Sequence, residues 1–430
     1  MNRDEQERVV IIGGGAAAAE CAAQLRIAEY EGSITVISAE ANPPYERPAL
    51  SKAFLLGHAT RDEILIRPEA AYAEHDIEIR LGLEVTAIEP DSHQVRLSDG
   101  STVAYDKLVI ATGGYPRQLP VPGAADSRHV YYLRSMSDAV SLRDSIRPGA
   151  TLAVVGGGYL GLEAAAVARQ LGANVTVLEG LPRLLARVTS EPISEYFARL
   201  HREKGVDIRL EAGIESFRDT EGDRVEITLK DSAPLVADTV LVSIGLIPDV
   251  ALAEDAGLDV QNGIRVDESG RTSSPDIFAV GDCTSHPDQL EGGFRRLESL
   301  PSALETAATV ATTIAGTAKT NPTPPWFWSE QFETKLQTVG LYRAGDVPVV
   351  RGDGAASHAF SVFYVRDGRV AAADVLSNPR EFAAAKSLVA KRTNVDAAEL
   401  ADVDVPLKEI LRAKSTEEAQ LAAASAILSR

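Results

Sequence analysis

Two glycine-rich turns, Gly13-Gly14-Gly15-Ala16-Ala17-Ala18 and Gly156-Gly157-Gly158-Tyr159-Leu160-Gly161, constrain this chain more than any other feature. Each follows an apolar run that reads as a strand and precedes a stretch that reads as a helix. Glycine permits the tight turn and lets the backbone approach a pyrophosphate, which then rests on the positive end of the following helix. One such turn is weak evidence. Here each copy is followed by an acidic residue at the end of a second apolar strand: Glu40 after Ile34-Thr35-Val36-Ile37, and Glu179 after Val175-Thr176-Val177-Leu178. Two dinucleotides held at once is the simplest reading. A chain with both most simply passes electrons from a nicotinamide to a bound flavin.

Composition narrows the remaining choices. At 430 residues the chain is long enough for about three domains, and no apolar run approaches the roughly 20 residues of a membrane span. Residues 1–8 are charged and run straight into the first strand with no apolar signal segment, which reads as cytoplasmic. A net charge of −19 disfavours nucleic acid and anionic membranes as partners, while a local basic patch would still recruit an acidic protein. Only two cysteines occur, Cys21 and Cys283, far apart in sequence. Flavoproteins that reduce disulfides carry a closely spaced pair, so electrons here leave the flavin by another route. Cys21 reads as core packing on the first helix. Cys283 with His286 makes a lone Cys-x-x-His with no second half-site, so no metal is expected.

The chain repeats its own plan. Asp106-Lys107-Leu108-Val109-Ile110-Ala111-Thr112-Gly113-Gly114 is a strand stopping at a Thr-Gly turn, and the run from Ala237 to Gly245, followed by Pro248, closes the second nucleotide unit in the same way. Residues 264–282 then read as strand, turn and strand, returning the chain to the first domain. The predicted fold class is α/β: two Rossmann-like dinucleotide-binding domains and a C-terminal α+β domain. The expected boundaries are 1–117 with 246–322 for a discontinuous FAD domain, 118–245 for the nicotinamide domain inserted in it, and 323–430 for the last. Ser302-Ala303-Leu304-Glu305 has capping-box spacing and predicts a helix beginning near Ser302. The Pro-rich run 321–325 marks a boundary, a small sheet follows, and the Ala-rich stretch 416–428 reads as a helix or a frayed tail.

Glu179 carries the choice of nicotinamide. A carboxylate at this strand end accepts the ribose hydroxyls of NADH and repels the extra phosphate of NADPH, whereas Arg183 and Arg187 nearby would soften that preference. NADH is the expected donor.

Five segments together resemble a known family: Pro44-Tyr45-Glu46-Arg47-Pro48-Ala49-Leu50-Ser51-Lys52, Ala111-Thr112-Gly113-Gly114, the second fingerprint through Leu162-Glu163, Ala279-Val280-Gly281-Asp282-Cys283, and Trp326-Phe327-Trp328-Ser329. The chain resembles the NADH-dependent ferredoxin reductases of bacterial haem monooxygenase and ring-hydroxylating dioxygenase systems over residues 8 to 410. Ala49, Ala18 and Ser38-Ala39-Glu40 depart from the family pattern, the last of them at the FAD ribose.

The resemblance implies hydride transfer from NADH to non-covalent FAD, then single electrons to a 2Fe-2S ferredoxin that feeds an oxygenase. It places Lys52 near the flavin ring and pairs it with Glu163 close to the docking nicotinamide. An ammonium held by a carboxylate would stabilise the negative charge that the hydride delivers. It assigns FAD contacts to Gly13, Gly15, Ala16, Ala18, Glu40, Arg47, Val85, Ala111, Thr112, Gly113, Arg134, Asp282, Leu300 and Pro301, and nucleotide contacts to Gly156, Gly158, Tyr159, Leu160, Gly161, Glu179, Arg187 and Gly245. Trp328 is expected near the flavin or the partner-facing rim, with Trp326 on the opposite face of its strand. Arg67, Arg295, Arg296, Lys335, Lys386 and Lys408 are candidate docking cations, and a monomer or weak dimer is expected. The same motifs also suit a rubredoxin reductase, an NADH oxidase or a non-catalytic NADH-sensing flavoprotein.

Overall fold

The computed structural model describes residues 7–288, 292–317, 323–354, 357–414 and 416. The chain begins with β1 (Arg8–Ile12), α1 (Ala16–Ile27), β2 (Ser33–Ser38), β3 (Ile77–Leu81) and β4 (Lys107–Ile110). It continues through β5 (Val130–Tyr131), β6 (Thr151–Val155), α2 (Tyr159–Gln170), β7 (Asn174–Leu178), α3 (Glu191–Glu203), β8 (Asp207–Arg209) and β9 (Thr239–Val242). β10 (Ile277–Ala279) and α4 (Leu300–Ile314) come next. The last part holds β11 (Trp326–Gln331), β12 (Thr334–Gly340), β13 (Val347–Arg351), β14 (Ser361–Arg366), β15 (Arg369–Leu376) and α5 (Pro379–Ala390). The described residues fall into two units, one drawn from Met1–Arg117, Leu133–Val140 and Gly245–Asn321, the other from Gln118–Tyr132, Ser141–Ile244 and Pro322–Arg430.

In the first unit a parallel sheet runs β10-β4-β1-β2-β3. Its strands are nearly continuous apolar runs because both faces are covered. Val9 and Ile11 point to one side, where they join Ile34, Val36, Val109 and the small residues of α1 and α4. Val10 and Ile12 point to the other and join Ile37, Leu108, Ile110 and the antiparallel ribbon that includes Val85, Ile88, Val95 and Leu97. The period of two thus builds two cores from one set of strands. Cys21 lies fully buried in the α1 core, as its apolar surroundings in sequence suggest.

The second unit repeats the scheme with a parallel sheet ordered β8-β7-β6-β9-β5, accompanied by its own three-stranded antiparallel ribbon. It also holds an antiparallel sheet ordered β11-β12-β15-β14-β13, on which α5 packs through Phe382, Ala385, Leu388 and Val389. The architecture is therefore two Rossmann-like units of sheet and helix plus a C-terminal α+β part.

Two local expectations shift. α4 begins at Leu300, with Ser299 as its N-cap: the Ser299 hydroxyl accepts the Ser302 N–H at 3.2 Å, so Ser302 lies inside the helix. Pro301 falls in the first turn, where its missing N–H costs nothing. Leu133–Val140 belongs to the first unit, because Arg47 donates to the Arg134 carbonyl at 2.6 Å and the Met136 N–H donates to the Tyr45 hydroxyl at 3.0 Å. The stretch 417–428 of the Ala-rich tail, residues 1–6 and residues 321–322 of the Pro-rich run lie outside the described residues. No helix of the described residues is long and apolar enough to cross a membrane.

Candidate functional site

The two glycine turns superimpose in their physics. Gly13 and Gly156 adopt φ of 124° and 106°, a region that side chains disfavour, and a Cβ on either would collide with a crossing carbonyl, that of Ala111 or of Ser243. Their N–H groups donate to Ile37 at 2.8 Å and Leu178 at 2.9 Å, the ends of the second strands. Gly15 and Gly158 are the N-caps of α1 and α2, have no side-chain cap and meet nothing within 4 Å where a Cβ would stand. Neither helix has an acidic residue in its first turn. Each start therefore offers an open cradle of N–H donors at roughly half a positive charge, which suits a pyrophosphate. Gly161 is needed because a Cβ there would strike the Gly156 carbonyl; at the matching place of the first copy, Ala18 is fully buried.

Around the first cradle the loop after β2 organises a cluster of charges. The buried Tyr45 hydroxyl donates to Glu40 at 2.5 Å and accepts from the Arg47 guanidinium at 3.1 Å and the Met136 N–H at 3.0 Å. Arg47 also pairs with Glu40 at 2.5 Å. Tyr45 is thus the hub of the site, a role its position in the motif did not disclose. Arg134 lies 3.7 Å from Asp282, and Gly113, at φ 70°, leaves space for the Arg134 guanidinium beside the Thr-Gly turn. Burial pushes the Asp282 carboxyl up and the Arg134 guanidinium down, and each offsets the other through its charge. Thr112 donates to the Asp249 carbonyl at 2.7 Å, and the Lys52 ammonium donates to Pro48 at 3.2 Å. The Val85 side chain sits in the core below.

In the second unit both oxygens of Glu179 accept backbone N–H groups, from Gly157 at 2.6 Å and Leu181 at 2.8 Å. The carboxylate is fixed between fingerprint and loop. Arg183 is engaged within its own loop: its guanidinium donates to the carbonyls of Ala186 and Thr189 and to the Ser194 hydroxyl at 2.6 to 2.9 Å. Arg187 is exposed, and Gly245, at φ 112°, follows β9.

β11 presents two chemically distinct faces. Phe327, Ser329 and Gln331 look toward α2 and α3: the Phe327 ring packs at a tilt against Tyr159 with centroids 4.8 Å apart, and the Ser329 hydroxyl donates to the buried Glu163 at 2.7 Å. Since the serine proton is given to Glu163, Ser329 accepts from the Gln331 amide at 3.2 Å, whose oxygen in turn accepts from His201 Nε2 at 2.9 Å. The donors in this buried chain run in one direction, from His201 through Gln331 and Ser329 to Glu163. Neither Gln331 nor His201 carries a sequence signal, because their partners are far away in the chain. Trp326 and Trp328 share the other face, with rings 5.8 Å apart. The expectation of opposite faces fails because strand side chains alternate with period two, so residues two apart lie together.

The two thiols are inert. Burial raises Cys21 to about 12 and Cys283 to about 11, far from the thiolate that disulfide exchange needs. Of the candidate docking cations, Arg67, Arg295, Arg296 and Lys335 each pair with an acid, whereas Lys386 lies over the Trp326 ring at 4.9 Å and Lys408 is exposed.

Two Rossmann-like units with open phosphate cradles, no usable dithiol and an appended sheet define a two-dinucleotide oxidoreductase. The model of the pyridine nucleotide-disulphide oxidoreductase family matches residues 7–307, and that of the reductase C-terminal family matches residues 326–411. Putidaredoxin reductase CamA of Pseudomonas putida is 43% identical over 415 residues, covering 96% of this chain and 98% of the relative. Rhodocoxin reductase of Rhodococcus erythropolis is 39% identical over 417 residues, 97% of each. The crystal structure of the covalent putidaredoxin reductase-putidaredoxin complex matches with a TM-score of 0.92 at 42% identity, over 95% of this chain and 99% of that chain. The chain belongs to the pyridine nucleotide-disulphide oxidoreductase family. It is an oxidoreductase of the FAD- and NAD(P)H-dependent kind, and its relatives are ferredoxin reductases of oxygenase systems.

Proposed function

We propose that this protein is an NADH:ferredoxin reductase that draws electrons from NADH and delivers them singly to a 2Fe-2S ferredoxin serving an oxygenase. Bound FAD would supply the conversion between two-electron and one-electron transfer. The chain's own residues do the rest. Gly13 and Gly15 with the start of α1 hold the FAD pyrophosphate, Ala16 and Ala18 keep that helix close, and Glu40, Arg47, Arg134 and Asp282 anchor the adenosine and ribitol ends. Ala111, Thr112 and Gly113 form the turn beside them. Leu300 offers its N–H at the start of α4, while Pro301 shapes that turn without donating one.

Gly156, Gly158, Leu160 and Gly161 form the NADH cradle, Tyr159 and Gly245 border it, and Glu179 takes the ribose hydroxyls. Lys52 supplies positive charge at the flavin ring. Glu163, held in place by the Ser329 hydroxyl, serves the nicotinamide end. Trp328 marks the exit of electrons, with Lys386 and Lys408 as cations for an acidic partner. A three-part organisation with boundaries near 117, 245 and 322, with Leu133–Val140 returned to the first part, goes with this reading.

The observation that carries the proposal is the fixed Glu179 carboxylate beside a second complete cradle, with both arginines nearby pulled into the loop or left in solvent. Anaerobic mixing of the FAD-loaded protein with NADH or NADPH tests it: NADH bleaches the flavin far faster, and subsequent addition of a 2Fe-2S ferredoxin restores the colour. Equal rates with the two donors, or no electron transfer to any such ferredoxin, would overturn it.

A further inference from the structure

Within the second unit a fully buried carboxylate lies outside the chemistry above. Asp374 sits on β15, the central strand of the C-terminal sheet, opposite Val362 on one side and Thr338 on the other. Such a charge is costly unless several donors meet it. Burial pushes it up to about 6, against the pull of two hydroxyls. Those hydroxyls belong to Tyr364, which donates at 2.5 Å, and to Thr189, which reaches across from the parallel-sheet part of the unit. With its single proton committed to Asp374, Tyr364 accepts from the N–H and the hydroxyl of Ser190 at 3.2 and 2.9 Å. Ser190 is the N-cap of α3, yet its side chain makes no cap bond. A serine at that position ordinarily caps the helix, so the local preference is overridden in favour of the junction.

The junction leads without a break to the nucleotide-selecting carboxylate. The Thr189 carbonyl accepts from Arg183 at 2.8 Å, and Arg183 holds Ala186 in the same loop. The Leu185 N–H donates to the Gly157 carbonyl at 3.0 Å, with Leu185 in the left-handed region at φ 54°. Gly157 and Leu181 then clamp Glu179. A loop in this conformation needs support from rigid elements to hold a ribose site to within a fraction of an ångström.

We propose that Thr189, Tyr364 and Asp374 are positioning residues for NADH, through which the C-terminal sheet fixes loop 180–190 and so the ribose-selecting geometry of Glu179. The proposal rests on the reading that the second cradle takes NADH. It makes the C-terminal sheet part of the nucleotide site as well as the bearer of Trp328. The chain of contacts also gives the direction of the effect: loss of a hydroxyl loosens the loop, and binding of the adenosine half weakens before any step at the nicotinamide changes.

The test uses the FAD-loaded full chain with two near-isosteric changes, Thr189→Val and Tyr364→Phe, and the hydroxyl-retaining Thr189→Ser. Calorimetric titration with ADP-ribose, which binds without redox chemistry, is expected to show affinity weakened about tenfold in Thr189→Val and Tyr364→Phe and restored in Thr189→Ser, in line with coupling between linked sites. In anaerobic stopped flow the NADH concentration for half-maximal flavin reduction rises by the same factor, while the limiting rate stays within about twofold. Either hydroxyl reports the same junction, so one folded variant suffices. Unchanged ADP-ribose affinity in a folded variant, beside normal binding by the parent protein, overturns the positioning role alone. A fall in limiting rate with unchanged binding also overturns it. Failure of the parent protein to bind ADP-ribose or be reduced by NADH overturns the proposal together with the reading beneath it.

Discussion

Glu179→Gln separates the charge of the selecting residue from its shape. The wild-type carboxylate accepts Gly157 N–H at 2.6 Å and Leu181 N–H at 2.8 Å. Glutamine keeps the length and one acceptor but removes the negative charge. A carboxylate about 5 Å from the phosphate that distinguishes NADPH, at an effective dielectric near 20, repels each phosphate charge by about 3 kcal/mol. That corresponds to a preference for NADH of roughly a hundredfold or more. The amide can satisfy only one of the two N–H groups with its oxygen, which costs about 1–3 kcal/mol for the other. This second loss falls on both nucleotides and cancels in their ratio. Measured as kcat/KM for NADH over that for NADPH, under saturating ferredoxin, the preference should collapse by about two orders of magnitude in Glu179→Gln. A ratio unchanged within about threefold would refute the electrostatic account of selection, because no other change in the variant distinguishes the two donors.

Three further outcomes are expected. Tyr45→Phe removes the hydroxyl that gathers Glu40, Arg47 and the Met136 N–H, so FAD should dissociate about ten times more readily, as read from flavin release on dilution; unchanged retention would contradict the hub role. Replacing Cys21 and Cys283 together with alanine should leave ferredoxin reduction intact in a folded, flavin-loaded protein, since both thiols are buried and raised; loss of turnover would restore a role for sulfur. Burial lowers His201 from 6.5 to about 4, so the unfolded chain binds the extra proton across that window, and this contribution to stability is lost as pH falls from about 6.5 to 4. Asp374, raised to about 6, acts in the opposite sense, because the native state takes its proton first. His201→Gln compared with wild type at each pH isolates the histidine: its relative stability in urea should improve by about 3 kcal/mol between neutral pH and pH 4. A pH-independent difference would contradict the assignment.

The parts legible in sequence are those in which a single short segment carries its own physics. Gly13 and Gly156 are written for turns that no side chain allows, and the nearly continuous apolar runs of β1 and β6 announce sheets covered on both faces. Glu179 is readable because a strand end fixes its place relative to the glycine turn. What stayed hidden depends on residues brought together from distant segments. His201, Gln331 and Ser329 meet at Glu163 only after the C-terminal sheet has formed. Asp374 reaches Thr189 across 185 positions of sequence. Charge near a nucleotide motif suggests that Arg183 softens the donor preference, and the carbonyls of its own loop that engage its guanidinium have no signal in the sequence. The start of α4 was displaced because Ser299 and Ser302 are both eligible caps, and the proline between them fits only the first turn of a helix capped by Ser299. Trp326 and Trp328, two residues apart on one strand, share a face, which the period of two alone dictates.

The most direct test of the account is an anaerobic titration of the FAD-loaded protein with NADH, followed by oxidised 2Fe-2S ferredoxin. One equivalent of NADH should abolish the yellow flavin absorbance, and about two equivalents of ferredoxin should restore it as the clusters become reduced, because one hydride carries two electrons and each cluster takes one. A flavin that stays oxidised with NADH, or one that is reduced and then passes nothing to the ferredoxin, would contradict it.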